Sequence, residues 1–146
     1  SRGAMHDRLP IVDAGGFHTC ASGGLGHGLP AAIGVALGRP GDKIIAILGD
    51  GSSMYAIQGL WSAAQLGLPI SFVIVNNRRY EALVNFGRHF GLQKTEGTTL
   101  SGIDFCALAR GQGLSAERVE TAAALDKALL ASFSAPGPTL VDVMVD

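Results

Sequence analysis

Residues 43–77 read KIIAILGDGSSMYAIQGLWSAAQLGLPISFVIVNN, and this stretch decides the fold. Residues 43–48 are a short apolar run rich in β-branched side chains, the pattern of a strand buried on both faces of a parallel sheet. Gly49-Asp50-Gly51 interrupts the run with a turn whose backbone can approach a ligand closely. Ser52 or Ser53 is placed to cap a helix, which Gly67 and Pro69 bring to an end. Residues 70–75 form a second continuous apolar run, and Asn76-Asn77 follows it. A right-handed strand–helix–strand crossover brings the carboxyl ends of both strands to one edge of the sheet. Asp50 and Asn77 are therefore expected on adjacent or nearby strands at the edge where open α/β sheets bind ligands. One carboxylate, one amide oxygen and a backbone carbonyl suit a hard cation such as Mg²⁺, which takes few protein groups and retains phosphate oxygens. The N–H groups of residues 51–53, at a helix start, favour the anion that such a cation would bridge. The local chemistry predicts Mg²⁺ with a diphosphate.

Upstream, residues 21–40 read ASGGLGHGLPAAIGVALGRP. Gly23, Gly24, Gly26 and Gly28 make a loop whose backbone can lie against a flat ligand or pack tightly under a helix. Pro30 suits the first turn of a helix over residues 31–37, closed by Gly38 and Pro40. Gly26-x-Gly28-x-x-Ala31 imitates a dinucleotide fingerprint, but no credible strand leads into it and no acidic residue follows at the required distance. Residues 17–20 are a candidate short strand. Residues 1–10 read as a cloning scar or frayed end, and residues 11–146 as one domain.

Downstream, a helix is expected over residues 78–89, with Asn77 as a candidate cap. The aperiodic, charged residues 91–101 read as a surface loop, one able to order on cofactor binding. Asp104 starts a helix to residue 110, ended by Gly111 and Gly113. Residues 114–119 are a strand, Thr121 caps a helix to residue 132, and residues 139–145 form a last strand. Strands alternating with helices predict an α/β domain, a doubly wound, mostly parallel sheet with helices on both faces.

The 146 residues suffice for one domain with a real core. Hydrophobic residues make up 47% and charged ones 16%, which suits a doubly covered sheet with extra surface buried against partners. A net charge of −1 with no basic run gives a nucleic-acid surface no support. No apolar run is long enough to span a membrane and no signal peptide is visible. Cys20 and Cys106 have neither metal-site spacing nor a disulfide framework, so a reducing cytoplasm is the default expectation.

Gly49-Asp50-Gly51, then 24 residues, then Asn76-Asn77 resembles the thiamine-diphosphate motif. From Gly23 onward the chain is similar to the C-terminal, diphosphate-binding domain of thiamine-diphosphate-dependent 2-oxo acid decarboxylases, and within that family to the benzoylformate decarboxylases. The similarity is carried by GGLGHGLPAAIGVALGRP (residues 23–40), IAILGDGSSMYAIQGLWSAAQLGLP (45–69), FVIVNNRRYEALVNF (72–86) and GIDFCALARGQG (102–113). The resemblance implies thiamine diphosphate and Mg²⁺ as cofactors, with Asp50, Asn77 and the Arg79 carbonyl on the metal. It places Gly51, Ser52 and Tyr80 on the diphosphate. The Gly23 carbonyl would bind the aminopyrimidine, with Gly24 beside it, and Leu25 would wedge the cofactor into its bent form. Ala82, Leu83 and Phe86 would face the side chain of a small-molecule 2-oxo acid. On composition alone Leu25 and Phe86 are equally core candidates, and Tyr80 a helix-surface residue.

The family's pyrimidine-binding domain, with its proton-relay glutamate, has no counterpart here, so the resemblance implies no catalytic residue within this chain. It implies instead a partner domain from a neighbouring subunit, in a homodimer or homotetramer. His6, His18, His27 and His89 match no family histidine and read as structural or surface residues, His27 being nearest the glycine loop. By itself the chain is expected to bind the cofactor weakly and to decarboxylate nothing. Acetolactate-synthase-like and oxalyl-CoA-decarboxylase-like enzymes share the motif. A different class is a Mg²⁺-binding α/β regulatory module with Asp50 as phospho-acceptor, which would need acidic neighbours where the strand ends offer glycine, serine and asparagine.

Overall fold

The computed structural model describes Met5 and residues 7–145. Half of the expected scar or frayed end, residues 1–4 and 6, with His6, lies outside the described residues; of the rest, Leu9 N donates to Met5 O at 2.8 Å.

Four strands, β1 (Ile44–Gly49), β2 (Ile70–Asn76), β3 (Ser115–Val119) and β4 (Thr139–Met144), form one parallel sheet in the order β1-β2-β4-β3. The helices are α1 (Gly28–Gly38), α2 (Asp50–Met54), α3 (Gly59–Gln65), α4 (Glu81–His89), α5 (Phe105–Gly111) and α6 (Ala122–Ser134). On one face, Leu29 and Ile33 of α1, Leu60 of α3 and Phe105 of α5 pack on Ala46, Ile70, Phe72, Ile74 and Leu140. On the other, Ala128 of α6 packs on Val119 and Val141. The expected α/β architecture, parallel with helices on both faces, is the one found.

The two central apolar runs behave differently. Every residue of β2 but Val75 is buried, whereas β1 alternates and leaves Ile45 and Ile47 more than 40% exposed. β1 is an edge strand, and α6 packs over β4, β3 and β2, where Ser71 of β2 bonds Ser132 O, so the expectation of burial on both faces holds for β2 and not for β1. Contrary to expectation, residues 17–20 form no strand, which leaves β1 without a partner on its outer side among the described residues.

The helix expected after Gly-Asp-Gly is two helices. It starts at Asp50 with Gly49 as N-cap, so neither Ser52 nor Ser53 caps it; the Ser53 hydroxyl donates to Gly49 O at 2.9 Å instead. After the break at residues 55–58, α3 is aimed so that Gly59 faces α1, where a Cβ would sit 2.6 Å from Leu29 Cδ2. Asp104 and Thr121 do cap α5 and α6, accepting from Ala107 N and Ala124 N. α1 begins three residues before the expected start, with Pro30 in its first turn. α4 begins at Glu81, because Arg78 takes a left-handed conformation (φ 59°) and breaks the helix expected from residue 78. Its N-cap is Tyr80, and Asn77 caps nothing.

Candidate cofactor site

The register sets the site. Gly49 lies opposite Val75, so Asp50 and Asn77 leave adjacent strands at the same edge. Asp50 is 4% exposed. Its Oδ1 accepts from Gly51 N at 2.8 Å and its Oδ2 from Arg79 N at 3.2 Å. Asn77 Oδ1 accepts from the same Arg79 N–H at 3.3 Å. One N–H therefore draws together the two side-chain oxygens named from the sequence. The Arg79 carbonyl accepts from Glu81 N at 3.0 Å, and its second lone pair remains for another ligand.

A second network holds the turn between Asn77 and Arg79. Asn76, the last residue of β2, accepts through Oδ1 from Arg78 N at 3.1 Å and donates through Nδ2 to Asp142 Oδ1 at 2.9 Å. Asp142, on β4, is fully buried, and its Oδ2 accepts from Arg118 Nε of β3 at 2.9 Å. Arg118 also reaches Asp104 at 3.5 Å. The hydrogen bond to Asp142 raises the Arg118 pKa, while burial and then the Asp142 charge push the Cys106 thiol up. From outside, residues 98–100 strap the turn: Tyr80 N donates to Thr98 O at 2.8 Å and Leu100 N to Arg78 O at 2.7 Å.

Gly51 lies under the Tyr80 ring, whose Cδ1 and Cε1 occupy the space a Cβ would need. Burial, then Tyr55 and Asp50, raise the Tyr80 phenol pKa, and Tyr55 meets the ring edge-on at 6.4 Å. The glycine loop is tied to the turn by Gly26 N donating to Ser52 Oγ at 3.2 Å. An accepting hydroxyl keeps its own hydrogen free for an anion. Gly26 (φ 81°) also approaches Tyr55, whose Cβ would lie 2.7 Å from a Cβ at residue 26.

Gly23, Gly24 and Leu25 lie on the exposed side of that loop. Leu25 is 45% exposed and Phe86 62%, so neither is a core residue. Ala82, Leu83 and Phe86 share the open surface of α4, where Phe86 stacks on Phe90 at 6.0 Å. His18, His27 and His89 are exposed, and His27 directly precedes α1. A cleft of about 850 Å³ runs along the outer edge of β1 between residues 15–20 and α1. Neither Asp50 nor Asn77 lines it, so its volume reflects the open edge strand rather than the turn chemistry.

These residues fit the expected groups. Among the described residues no cluster of three His, Cys, Asp or Glu side chains could hold a metal. A carboxylate, an amide oxygen and a carbonyl instead form a sparse set of hard oxygen donors, which suits Mg²⁺ that keeps phosphate oxygens. From sequence Asn76 enters only as half of the asparagine pair, without a role in the turn, and Asp142, Arg118 and the 98–100 strap do not stand out. Only the polar residue inside the apolar run TLVDVMV could have signalled Asp142.

The family described as "Thiamine pyrophosphate enzyme, C-terminal TPP binding domain" matches residues 3–143, and the chain belongs to it. Benzoylformate decarboxylase of Pseudomonas aeruginosa is 41% identical over 140 residues, 96% of this chain and 26% of that protein. The crystal structure of benzoylformate decarboxylase from Polynucleobacter necessarius superposes with a TM-score of 0.94 at 32% identity, covering 98% of this chain and 28% of that one. Acetolactate synthase of Bacillus subtilis is 30% identical over 141 residues, 97% of this chain and 24% of that protein. The chain spans about a quarter of the length of these relatives.

Proposed function

We propose that this domain holds the diphosphate end of thiamine diphosphate, through Mg²⁺, in a non-oxidative 2-oxo acid decarboxylase acting on benzoylformate and giving an aldehyde and CO₂. The observation that carries the reading is the Arg79 N–H shared by Asp50 Oδ2 and Asn77 Oδ1. Asp50, Asn77 and the Arg79 carbonyl hold the cation. Gly51, Ser52 and Tyr80 face the phosphates, with the absent Cβ of Gly51 leaving the space that the Tyr80 ring takes up. Gly23, Gly24 and Leu25 support the organic part of the cofactor, and Ala82, Leu83 and Phe86 line the substrate side. Bound there, thiamine diphosphate supplies a cationic ring that acts as electron sink for decarboxylation. The remaining contacts, and the acid–base groups, come from a pyrimidine-binding domain of a neighbouring subunit in a homodimer or homotetramer.

A phospho-acceptor role for Asp50 is disfavoured, since the carboxylate is buried and both its oxygens accept from backbone N–H groups. An acetolactate synthase is the second reading, favoured by the similarity to the Bacillus subtilis enzyme. Calorimetric titration with thiamine diphosphate, with and without Mg²⁺, tests the cofactor assignment, and binding indifferent to Mg²⁺ would refute the metal site. Turnover by the complete enzyme of benzoylformate but not pyruvate supports the first reading. The reverse preference supports the second.

A further inference from the structure

We infer that Asp142 is a positioning residue for the cation-binding turn, acting through the Asn76 side-chain amide; the inference rests on the metal assignment proposed above. Asn76 is buried, so its amide cannot reorient into solvent to find partners. A carboxylate can only accept from it, so Asp142 requires Asn76 to present Nδ2 to β4. The carbonyl oxygen of the same amide must then face the other way, toward Arg78 N, where it accepts at 3.1 Å. That hydrogen bond supports Arg78 at φ 59°, a left-handed conformation that is unfavourable for a non-glycine residue. With Arg78 left-handed, the chain reverses so that Arg79 N meets both Asp50 Oδ2 and Asn77 Oδ1. Arg118 compensates the buried Asp142 charge from the far side and leaves Oδ1 for Asn76. A carboxylate on one strand thus fixes which atom of an amide on its neighbour faces the turn, and the turn fixes the donors.

The test uses the full polypeptide that carries this chain and has two readouts. The first is the Mg²⁺ concentration that half-saturates thiamine diphosphate binding. The second, taken without metal or cofactor, is hydrogen exchange of peptides spanning residues 76–81. Asp142→Asn is expected to raise half-saturating Mg²⁺ by about tenfold or more, the range for residues that orient metal ligands. It is also expected to speed exchange across the turn. Asn76→Ala, which leaves the Asp142–Arg118 pair intact, should do the same, and it carries the test if Asp142→Asn does not fold. Because both act through one amide, the double variant should be no worse than Asn76→Ala alone.

Ser71→Ala is the stability control: this buried β2 hydroxyl bonds Ser132 O, far from the turn, so its loss should lower the melting temperature and leave both readouts unchanged. The inference is overturned if Asp142→Asn behaves like Ser71→Ala, or if the effects of Asp142→Asn and Asn76→Ala add. Should the unsubstituted protein not bind thiamine diphosphate with Mg²⁺, the proposed function fails. Exchange at residues 76–81 would still decide whether Asp142 holds the turn.

Discussion

The two glycine-bearing segments proposed to meet the cofactor have opposite character. The Gly49–Gly51 turn is the better supported: Asp50, Gly51 and Ser53 are buried, and partners arrive from β2, the Asn76–Arg79 turn and the Tyr80 ring. The Gly23–Gly28 loop is exposed over residues 21–25 and is joined to the turn by one cross-segment hydrogen bond, Gly26 N to Ser52 Oγ. The contrast follows from position. The turn sits at the carboxyl ends of two adjacent strands, so the sheet itself holds it. The loop lies beyond the open edge of β1, and no strand supports it from outside among the described residues. On the proposed assignment, the anion and cation end is held internally and the other end is left for a partner surface.

The contrast can be broken from either side. The largest effect is expected at the turn: Asp50→Ala should abolish Mg²⁺-dependent binding of thiamine diphosphate while circular dichroism stays native. Binding that survives would show that the turn is not the metal site. Gly26→Ala should follow, because residue 26 has a positive φ and a new Cβ would meet Tyr55 Cβ. A loss of about 2 kcal/mol is expected in urea unfolding. Gly51→Ala should cost less, about 1 kcal/mol, because the Tyr80 ring can swing away; adding Tyr80→Leu should restore most of it.

Ser52→Ala sharpens the comparison by cutting the tie between loop and turn. It should cost about 1 kcal/mol and weaken cofactor binding without altering Mn²⁺ binding followed by electron paramagnetic resonance. The smallest effect is in pH. The Tyr80 phenol is held above its ordinary value of 10.0, so its neutral form stabilises the fold. That contribution is fully present below pH 10.0 and is lost as pH rises through the higher folded value. Tyr80→Phe should flatten this alkaline limb in pH-dependent denaturation.

Much of this was legible in the sequence wherever local pattern and spacing agree. Residues 70–75 are apolar but for Ser71 because β2 is central, and the chain between Gly49-Asp50-Gly51 and Asn76-Asn77 has the length of one crossover, which brings Asp50 and Asn77 together. Thr121 and Asp104 cap as side-chain oxygens before apolar runs should. The same rules failed where a contact distant in sequence intervened. Ser52 has the chemistry of a cap, but Gly26 N takes its oxygen from 26 residues away. The helix expected from residue 78 starts late because Asn76 and the 98–100 strap hold Arg78–Tyr80 in a turn. Residues 91–101 show no periodicity, and nothing in their composition marks them as that strap.

What the sequence determined by itself is the order of strands and helices, and the pair of strand ends that carry a carboxylate and an amide. Hydrophobic period and glycine placement are properties of the local chain, and a crossover has a fixed hand. How those ends are held depended on contacts between segments far apart in the chain. β1 became an exposed edge, the post-turn helix broke in two, and Asp142, 66 residues beyond Asn76, came to orient its amide. A buried hydrogen bond depends on which strands become neighbours, and the order β1-β2-β4-β3 is set by the packing of the whole sheet rather than by any one segment.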